Sequence, residues 1–337
     1  MFISRILKKL ARPRPRKASA GIPQRLSAKL DRLQKQFDKA DDFLVREFAI
    51  GPAQIPAAVA YLKGMVDDAI ICQGLLKNAM LELRKVTPGK ELDERSILAM
   101  IKQVVTITEL EEVNRWEDLV VHLLSGHAIL MVDGMGTALA VDVTGWEHRG
   151  VEQPVAEAVI RGPRDSFTES IRINITLIRR RLRDRSLKVE THKLGTRSLT
   201  DVALVYIEDI IDPAVLAEAQ KRLQAIKVDA ILDSGYIEEL IDDCWWSPFT
   251  TTQETERPDE AVAGLLEGRF AIVVDNSPFV ILAPTTINTL MQSPEDYYLP
   301  WMVVSTIRLV RFVGSFASLT LPALYISFIG YHPEMFP

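Results

Sequence analysis

Apolar and polar positions along the chain spell one pattern twice. Leu123-Leu-Ser-Gly-His-Ala-Ile-Leu-Met-Val-Asp133 and Leu265-Leu-Glu-Gly-Arg-Phe-Ala-Ile-Val-Val-Asp275 align without a gap at an offset of 142 residues. Each has a leucine pair, a glycine and an apolar run ending in aspartate, and a second apolar run follows, Thr137 to Val141 and Phe279 to Leu282. That order predicts a helix end, a strand, a tight turn and a return strand. Upstream, Ala60 to Asp67 matches Val205 to Asp212 at an offset of 145, each reading as a strand that feeds an N-cap aspartate and a helix. Earlier still, Leu44 to Gly51 resembles Leu187 to Gly195. The element order is shared and the offset drifts by only a few residues, so the expected fold is α/β with two duplicated lobes, each a small sheet flanked by helices. Lobes that face one another leave a cleft, where a small ligand would sit.

Two further segments stand outside the duplication. Phe167 to Arg185 places Phe167, Ile171, Ile175, Ile178 and Leu182 three or four residues apart, one apolar stripe of a helix. Arg172, Arg179, Arg180, Arg181, Arg183 and Arg185 crowd its remaining surface, with Arg161 and Arg164 just upstream. Such a face either docks on an acidic partner, phosphates or anionic lipid, or is solvated and paired with the chain's own acids, for example Glu238, Glu239, Asp242 and Asp243. From Phe312 to Tyr331 the chain runs for twenty residues without a charge. At about 1.5 Å per residue, a helix of that length spans roughly 30 Å, the thickness of bilayer hydrocarbon. It shows no polar face at helical period, which favours a membrane helix over a buried core helix. Pro322 is tolerated in such a helix, and Gly314 with Ser318 forms a small-xxx-small pair suited to close helix packing. Arg308 and Arg311 precede the span, so the positive-inside rule places the N-terminal bulk in the cytoplasm.

The expected layout is a basic flexible arm over 1–30, a first α/β lobe over 31–150 and a connecting segment with the Arg-rich helix over 151–185. A second α/β lobe over 186–295 follows, then a juxtamembrane segment and transmembrane helix over 296–337. The length of 337 residues suits about two domains plus extras, and the mean hydropathy of +0.08 agrees with a membrane segment. A net charge of −5 gives no whole-chain reason to expect nucleic acid. Basic residues from Arg5 to Lys17, with prolines 13 and 15 and no apolar stretch, make the N-terminus an arm rather than a cleaved signal peptide. That arm is either solvated or a contact for anionic lipid or nucleic acid. Cys72 and Cys244 form no metal or disulfide spacing and fit a reducing compartment.

Catalytic signatures are missing from the sequence. It contains no phosphate-binding loop, dinucleotide fingerprint, nucleophile elbow, HExxH or EF-hand loop, and its five histidines have no ligand spacing. No metal, cofactor or catalytic set is expected, so the chain reads as a non-enzyme. Thr255-Glu-Arg-Pro-Asp259 is a helix start: Pro258 suits the first helical position, and Asp259 and Glu260 favour the dipole.

Several strings occur in a recognisable order. They are Gly162-Pro-Arg164, Asn174 with Leu177-Ile-Arg-Arg-Arg-Leu-Arg183, Asp233-Ser-Gly-Tyr-Ile-Glu-Glu-Leu-Ile241, Ser247-Pro-Phe249 and Thr255-Glu-Arg-Pro-Asp259. Leu265-Leu-Glu-Gly-Arg269, Gln292-Ser-Pro-Glu-Asp-Tyr-Tyr298, Leu321-Pro-Ala-Leu-Tyr325 and His332-Pro-Glu-Met335 complete the series. From about residue 40 onward the chain resembles A subunits of spore germinant receptors, the GerA family. The resemblance implies a receptor component of the spore inner membrane that works with B and C subunits, oligomerises, and passes ions as germination begins. Nutrient recognition in that family is usually credited to the B subunit. Arg161, Arg164, Asn174, Arg179, Arg180, Arg181, Arg183, Glu256, Arg257 and Asp296 would then serve assembly and coupling, and Gly314, Ser318 and Pro322 membrane-helix packing. Family members continue with further membrane helices, so a chain stopping at Pro337 is expected to be a split, shortened or fragmentary subunit. A different class of reading is a membrane-tethered module that binds a small molecule between the lobes.

Overall fold

A computed structural model describes residues 21–51, 54–72, 110–145, 157, 162–242, 247, 250–291, 293, 296 and 298–331. Residues 1–20, Arg161, most of the 146–161 stretch, Trp245, Trp246 and the His332 to Pro337 tail lie outside the described residues. Residues 21–30, expected as the end of the flexible arm, are described and are helical from Leu26. Contacts group the described residues into two units, one within Met1–Glu147 and Arg179–Glu190, the other within His148–Ile178 and Thr191–Pro337.

The first set of elements is α1 (Leu26–Gln36), β1 (Phe43–Ile50), β2 (Ile55–Leu62), α2 (Asp68–Ile70), β3 (Leu110–Val113), α3 (Trp116–Leu124), β4 (His127–Val132) and β5 (Ala138–Asp142). Its five strands order as β1-β2-β4-β5-β3, with antiparallel neighbours throughout. The second set is α4 (Ile171–Arg181), β6 (Leu187–Leu194), β7 (Thr200–Ile207), α5 (Pro213–Ala225), α6 (Ser234–Ile241), β8 (Gln253–Thr255), α7 (Pro258–Leu266), β9 (Phe270–Val274) and β10 (Val280–Ala283). Its sheet orders as β6-β7-β9-β10-β8, the same permutation. Two connections must cross the sheet identically to produce that order, so the α/β duplication expected from the apolar runs holds in topology as well as in sequence. A short helix α8 (Ile287–Leu290) and the long α9 (Trp301–Tyr331) complete the chain.

Hydrogen bonds explain why the aspartate at the end of each apolar run recurs. Asp133 accepts the Leu26 N–H at 2.7 Å, and Asp275 accepts the Ile171 N–H at 3.1 Å. Each carboxylate thereby satisfies an orphan donor at the start of a helix more than a hundred residues away. The Gly134 N–H donates to the Gln24 carbonyl, and Asn276 donates to Glu169 in the same way. Asp133 and Asp275 also donate their own N–H groups to Pro56 and Asp201. The leucine-pair glycines, Gly126 at φ +94° and Gly268 at φ +92°, both end a helix in the left-handed region. α1 and α4 are therefore equivalent elements 145 residues apart, and the duplication extends one helix further upstream than the strands alone indicate.

The cores follow from burial of strand alternation. On one face of the first sheet Ala58, Ala60, Leu62, Ile129 and Met131 pack under Leu26, Leu30 and Leu33 of α1 and Leu119 and Leu123 of α3. On the other, Ala57, Val59, Leu130, Val132, Leu139 and Val141 form a second cluster. Strands buried on both faces read as unbroken apolar runs, which is why β4 and β9 stand out in the sequence. In the second unit α5 and α6 cover Leu204, Tyr206, Ile272 and Ile281, while α7 packs on the strands through Ala261 and Leu265. The N-cap of α6 is Asp233, whose side chain accepts the Ser234 N–H at 2.8 Å.

Arg179 corrects the reading of a wholly solvated arginine face. Its guanidinium is buried in the first unit and holds Asp42 through two bonds, Nε to Oδ2 at 2.7 Å and Nη2 to Oδ1 at 2.8 Å. A buried arginine is tolerated because its fork matches a carboxylate with both charges paired. Arg180 and Arg183 remain exposed, and Arg181 is half-buried.

Candidate functional site

The first turn of α7 is the centre of a polar network. Pro258 occupies the first helical position and disfavours helical backbone in the residue before it, so Arg257 is extended at φ −104°, ψ 118°. Its side chain is fully buried. Nη2 donates to Asp259 Oδ2 at 2.8 Å and to the Pro163 carbonyl at 3.2 Å, and Nη1 donates to the Glu157 carbonyl at 3.4 Å. Burial opposes the charge, but the bond and charge of Asp259, with Tyr298 and Glu157, outweigh it and hold the guanidinium above its ordinary pKa. Tyr298 completes the group by donating its hydroxyl to Asp259 Oδ2.

Gly162 shows how closely these pieces approach. At φ +139°, a Cβ there would stand 3.0 Å from the Tyr298 ring and 3.3 Å from Arg257 Nη2. Any larger residue would push the ring or the guanidinium away. Three strings widely separated in sequence, Gly162-Pro163, Arg257-Pro-Asp259 and Tyr298, thus meet at one place.

Two residues before Tyr298, a second polar group ties the chain to α9. Buried Asp296 accepts Arg308 Nε at 3.0 Å, Arg311 Nη1 at 3.0 Å and Arg311 Nη2 at 3.2 Å. Arg311 Nη1 also donates to the Met291 carbonyl at 3.0 Å, just past α8. Burial would raise the Asp296 carboxyl, but the bonds from Arg311, Arg308 and the Ser293 N–H prevail and lower it. Val304, Arg308, Arg311 and Ser315, three or four residues apart, form the buried and half-buried stripe of α9. Beyond them large apolar side chains such as Phe316, Leu319 and Ile326 are exposed. Trp301–Ile329 is long and apolar enough to cross a membrane, and Pro322 sits inside the helix without ending it. Arg308 and Arg311, first read as topology markers, are therefore also the ligands of a carboxylate.

The other expected site residues divide by burial. Asn174 is buried and braces its own helix start, accepting the Thr168 N–H at 2.7 Å and donating to the Thr168 carbonyl at 2.6 Å. Glu256 is buried; its N–H donates to the Glu157 carboxylate at 3.1 Å and its carbonyl accepts the Phe167 N–H at 2.8 Å. Arg164 is exposed, next to the Pro163 carbonyl that Arg257 binds, and Arg183 reaches Ser125 at 3.3 Å. Open space surrounds the Cβ position of Gly314. Sequence reasoning passed over Asp42 and Glu157. Nothing local marks Asp42 as the partner of a residue 137 positions away, and Glu157 has no flanking pattern. Among the described residues no group of three or more His, Cys, Asp or Glu is placed to hold a metal ion.

The chain is similar to known proteins. The chain is 37% identical over 316 residues to the uncharacterized membrane protein YfkQ of Bacillus subtilis (strain 168), covering 94% of this chain and 60% of that protein. It is 36% identical over 317 residues to spore germination protein KA of the same organism, covering 94% of this chain and 57% of that one. The chain thus spans about 60% of the length of the curated relatives it matches. Among solved structures, it matches the N-terminal domain of the A subunit of the Bacillus megaterium spore germinant receptor GerK3 with a TM-score of 0.63 and 34% identity. That match covers 80% of this chain and 99% of the other. The family model described as Bacillus/Clostridium GerA spore germination protein fits residues 31–337. By that fit and by its relatives, the chain belongs to the GerA spore germination family.

Proposed function

We propose that this chain acts at the start of spore germination as the A-type subunit of a nutrient germinant receptor. In this reading α9 holds it in the spore inner membrane with the N-terminal bulk in the cytoplasm. It works by assembly with B and C subunits and with its own copies, not by catalysis, and transmits the signal that leads to ion release. The observation that carries the reading is the match to the GerK3 A-subunit domain over 99% of that chain. The geometry adds a route: Arg257, Asp259 and Tyr298 lead to Asp296, which is tied to α9 by Arg308 and Arg311. Tyr298 and Asp296 stand two residues apart in the chain, so the polar group at the start of α7 and the carboxylate that binds α9 belong to one short segment. Two results support it: spores lacking the gene lose their response to at least one nutrient, and a tagged chain co-purifies with B and C subunits from spore membranes. Normal germination on every nutrient, or absence of the chain from that fraction, overturns it.

A small-molecule binding module is the second reading, favoured by a cavity of about 350 Å³ within the second unit. Val215, Ala219, Phe270 and Ile272 wall it, with the Glu218–Arg222 ion pair and the Thr251 and Thr252 hydroxyls at its lining. Its size falls in the range of ligand pockets. Thermal-shift screening of the full chain with amino acids, sugars and nucleotides tests it, and silence across the panel ends it.

A further inference from the structure

The hydroxyl of Thr255 has more partners than its single proton can serve. Its Oγ1 accepts the Arg257 N–H at 3.0 Å. The same atom lies 2.7 Å from Glu157 Oε2 and 3.3 Å from Glu260 Oε2. A hydroxyl donates once and accepts twice. If it donates to Glu157, its contact with Glu260 needs a proton from Glu260. The remaining Glu260 oxygen, Oε1, accepts Gln253 Nε2 at 2.6 Å, and Gln253 Oε1 in turn accepts Arg269 Nη1 at 3.0 Å. Every polar contact of the cluster is accounted for when the two carboxyl groups hold one proton between them.

We propose that Glu157, Thr255 and Glu260 form a one-proton latch: loss of the proton breaks the Glu260–Thr255 bond and sets the two carboxylates against each other, and that repulsion loosens Glu157 from the start of α7. The groups facing the latch come from several elements. Glu256 and Glu157 add negative charge, while Arg257 and Arg269 add positive charge. Arg269 is shared with Glu267 at 3.8 Å, and Arg257 is committed to Asp259. Glu254 of β8 bonds Ser234 instead, Asp201 of β7 pairs with Lys193, and β9 and β10 carry no ionisable side chain. Burial, then repulsion by Glu157, raises the Glu260 carboxyl to about 7, and burial raises Glu157 as well. A raised acid binds its proton more tightly in the folded state, so the stability the latch contributes is full below the ordinary glutamate range and is lost as pH rises through about 7, where the latch itself opens. Glu157 is also held by its carbonyl on Arg257, so the same event loosens a contact of the network described above.

The test uses the full chain in lipid nanodiscs. Infrared titration of the wild type is expected to show the C=O stretch of a protonated carboxyl at about pH 6 and to lose it by about pH 8. Exchange of the Glu256 amide, corrected for its intrinsic rate, is expected to rise about tenfold over the same interval. Glu260→Gln keeps the donor and acceptor but not the titration, so the band disappears and exchange becomes flat with pH. Glu157→Gln removes the repulsion and moves the midpoint toward acid. A wild type without the band, an unchanged midpoint in Glu157→Gln, or Glu256 protection indifferent to pH overturns the latch.

Discussion

Arg115 and Arg257 occupy the same place in the two copies of one fold, the N-cap of the helix that precedes the leucine-pair glycine. Arg115 is exposed and Arg257 is fully buried. In the first copy the helix opens with Trp116, whose indole donates to Gln36 and lies under Arg32 at 4.3 Å, so α1 closes the helix start. In the second, Pro258 opens the helix, and Pro163, Glu157 and Tyr298 close over the arginine. The duplicated scaffold is common property; the polar network belongs to the copy that leads into α9. A shared backbone position therefore does not imply a shared role.

Breaking that difference is the largest expected effect. Arg257→Ala leaves Asp259, only 12% exposed, without its guanidinium and should cost about 3–5 kcal/mol, whereas Arg115→Ala should stay within about 0.5 kcal/mol. Denaturation of the two variants side by side measures the contrast, and equal losses would remove it. Arg179→Ala should cost nearly as much by stranding Asp42, and Asp42→Leu with Arg179→Met should recover most of the loss, since apolar replacement of a buried pair is often neutral. Asp296→Asn should be milder, about 1–3 kcal/mol, because Arg308 and Arg311 are each about a third exposed. Its depressed carboxyl stabilises the tie to Arg308 and Arg311 above the ordinary aspartate range and loses that contribution as pH falls through its lowered value, so acid should mimic the variant. The smallest effects should be the most alike. Asp133→Ala and Asp275→Ala each remove one helix cap and should each cost about 1 kcal/mol, and a large inequality between them would argue against equivalent copies.

What could be read from the sequence was what local pattern encodes. The hairpins of β4–β5 and β9–β10 announce themselves by apolar runs and turns, and the membrane-length helix by its missing charges. The equivalence of α1 and α4 was present in the spacing of Leu26, Leu30 and Leu33 against Ile171, Ile175 and Ile178. It was masked because the arginines of α4 read as a linker surface. Burial of Arg179 and Arg257 was not legible: charge on a helix or at a cap normally means solvent, and the partners Asp42, Pro163 and Tyr298 lie far along the chain. Asp296 was singled out through the family string, but its ligands were credited to membrane topology alone, because pairing across twelve and fifteen residues has no helical period to reveal it.

We expect the buried cap of α7 and the start of α9 to respond as one mechanical unit. Tyr298→Phe tests it most directly, since it deletes only the hydroxyl that joins Asp259 to the segment carrying Asp296. Hydrogen exchange of the Ser293, Asp296 and Val304 amides should be followed in the full chain in nanodiscs. We expect the substitution to speed exchange at all three by about tenfold while the Leu26 and Leu119 amides of the first unit keep their wild-type rates. Unchanged exchange at Ser293, Asp296 and Val304 would contradict the account.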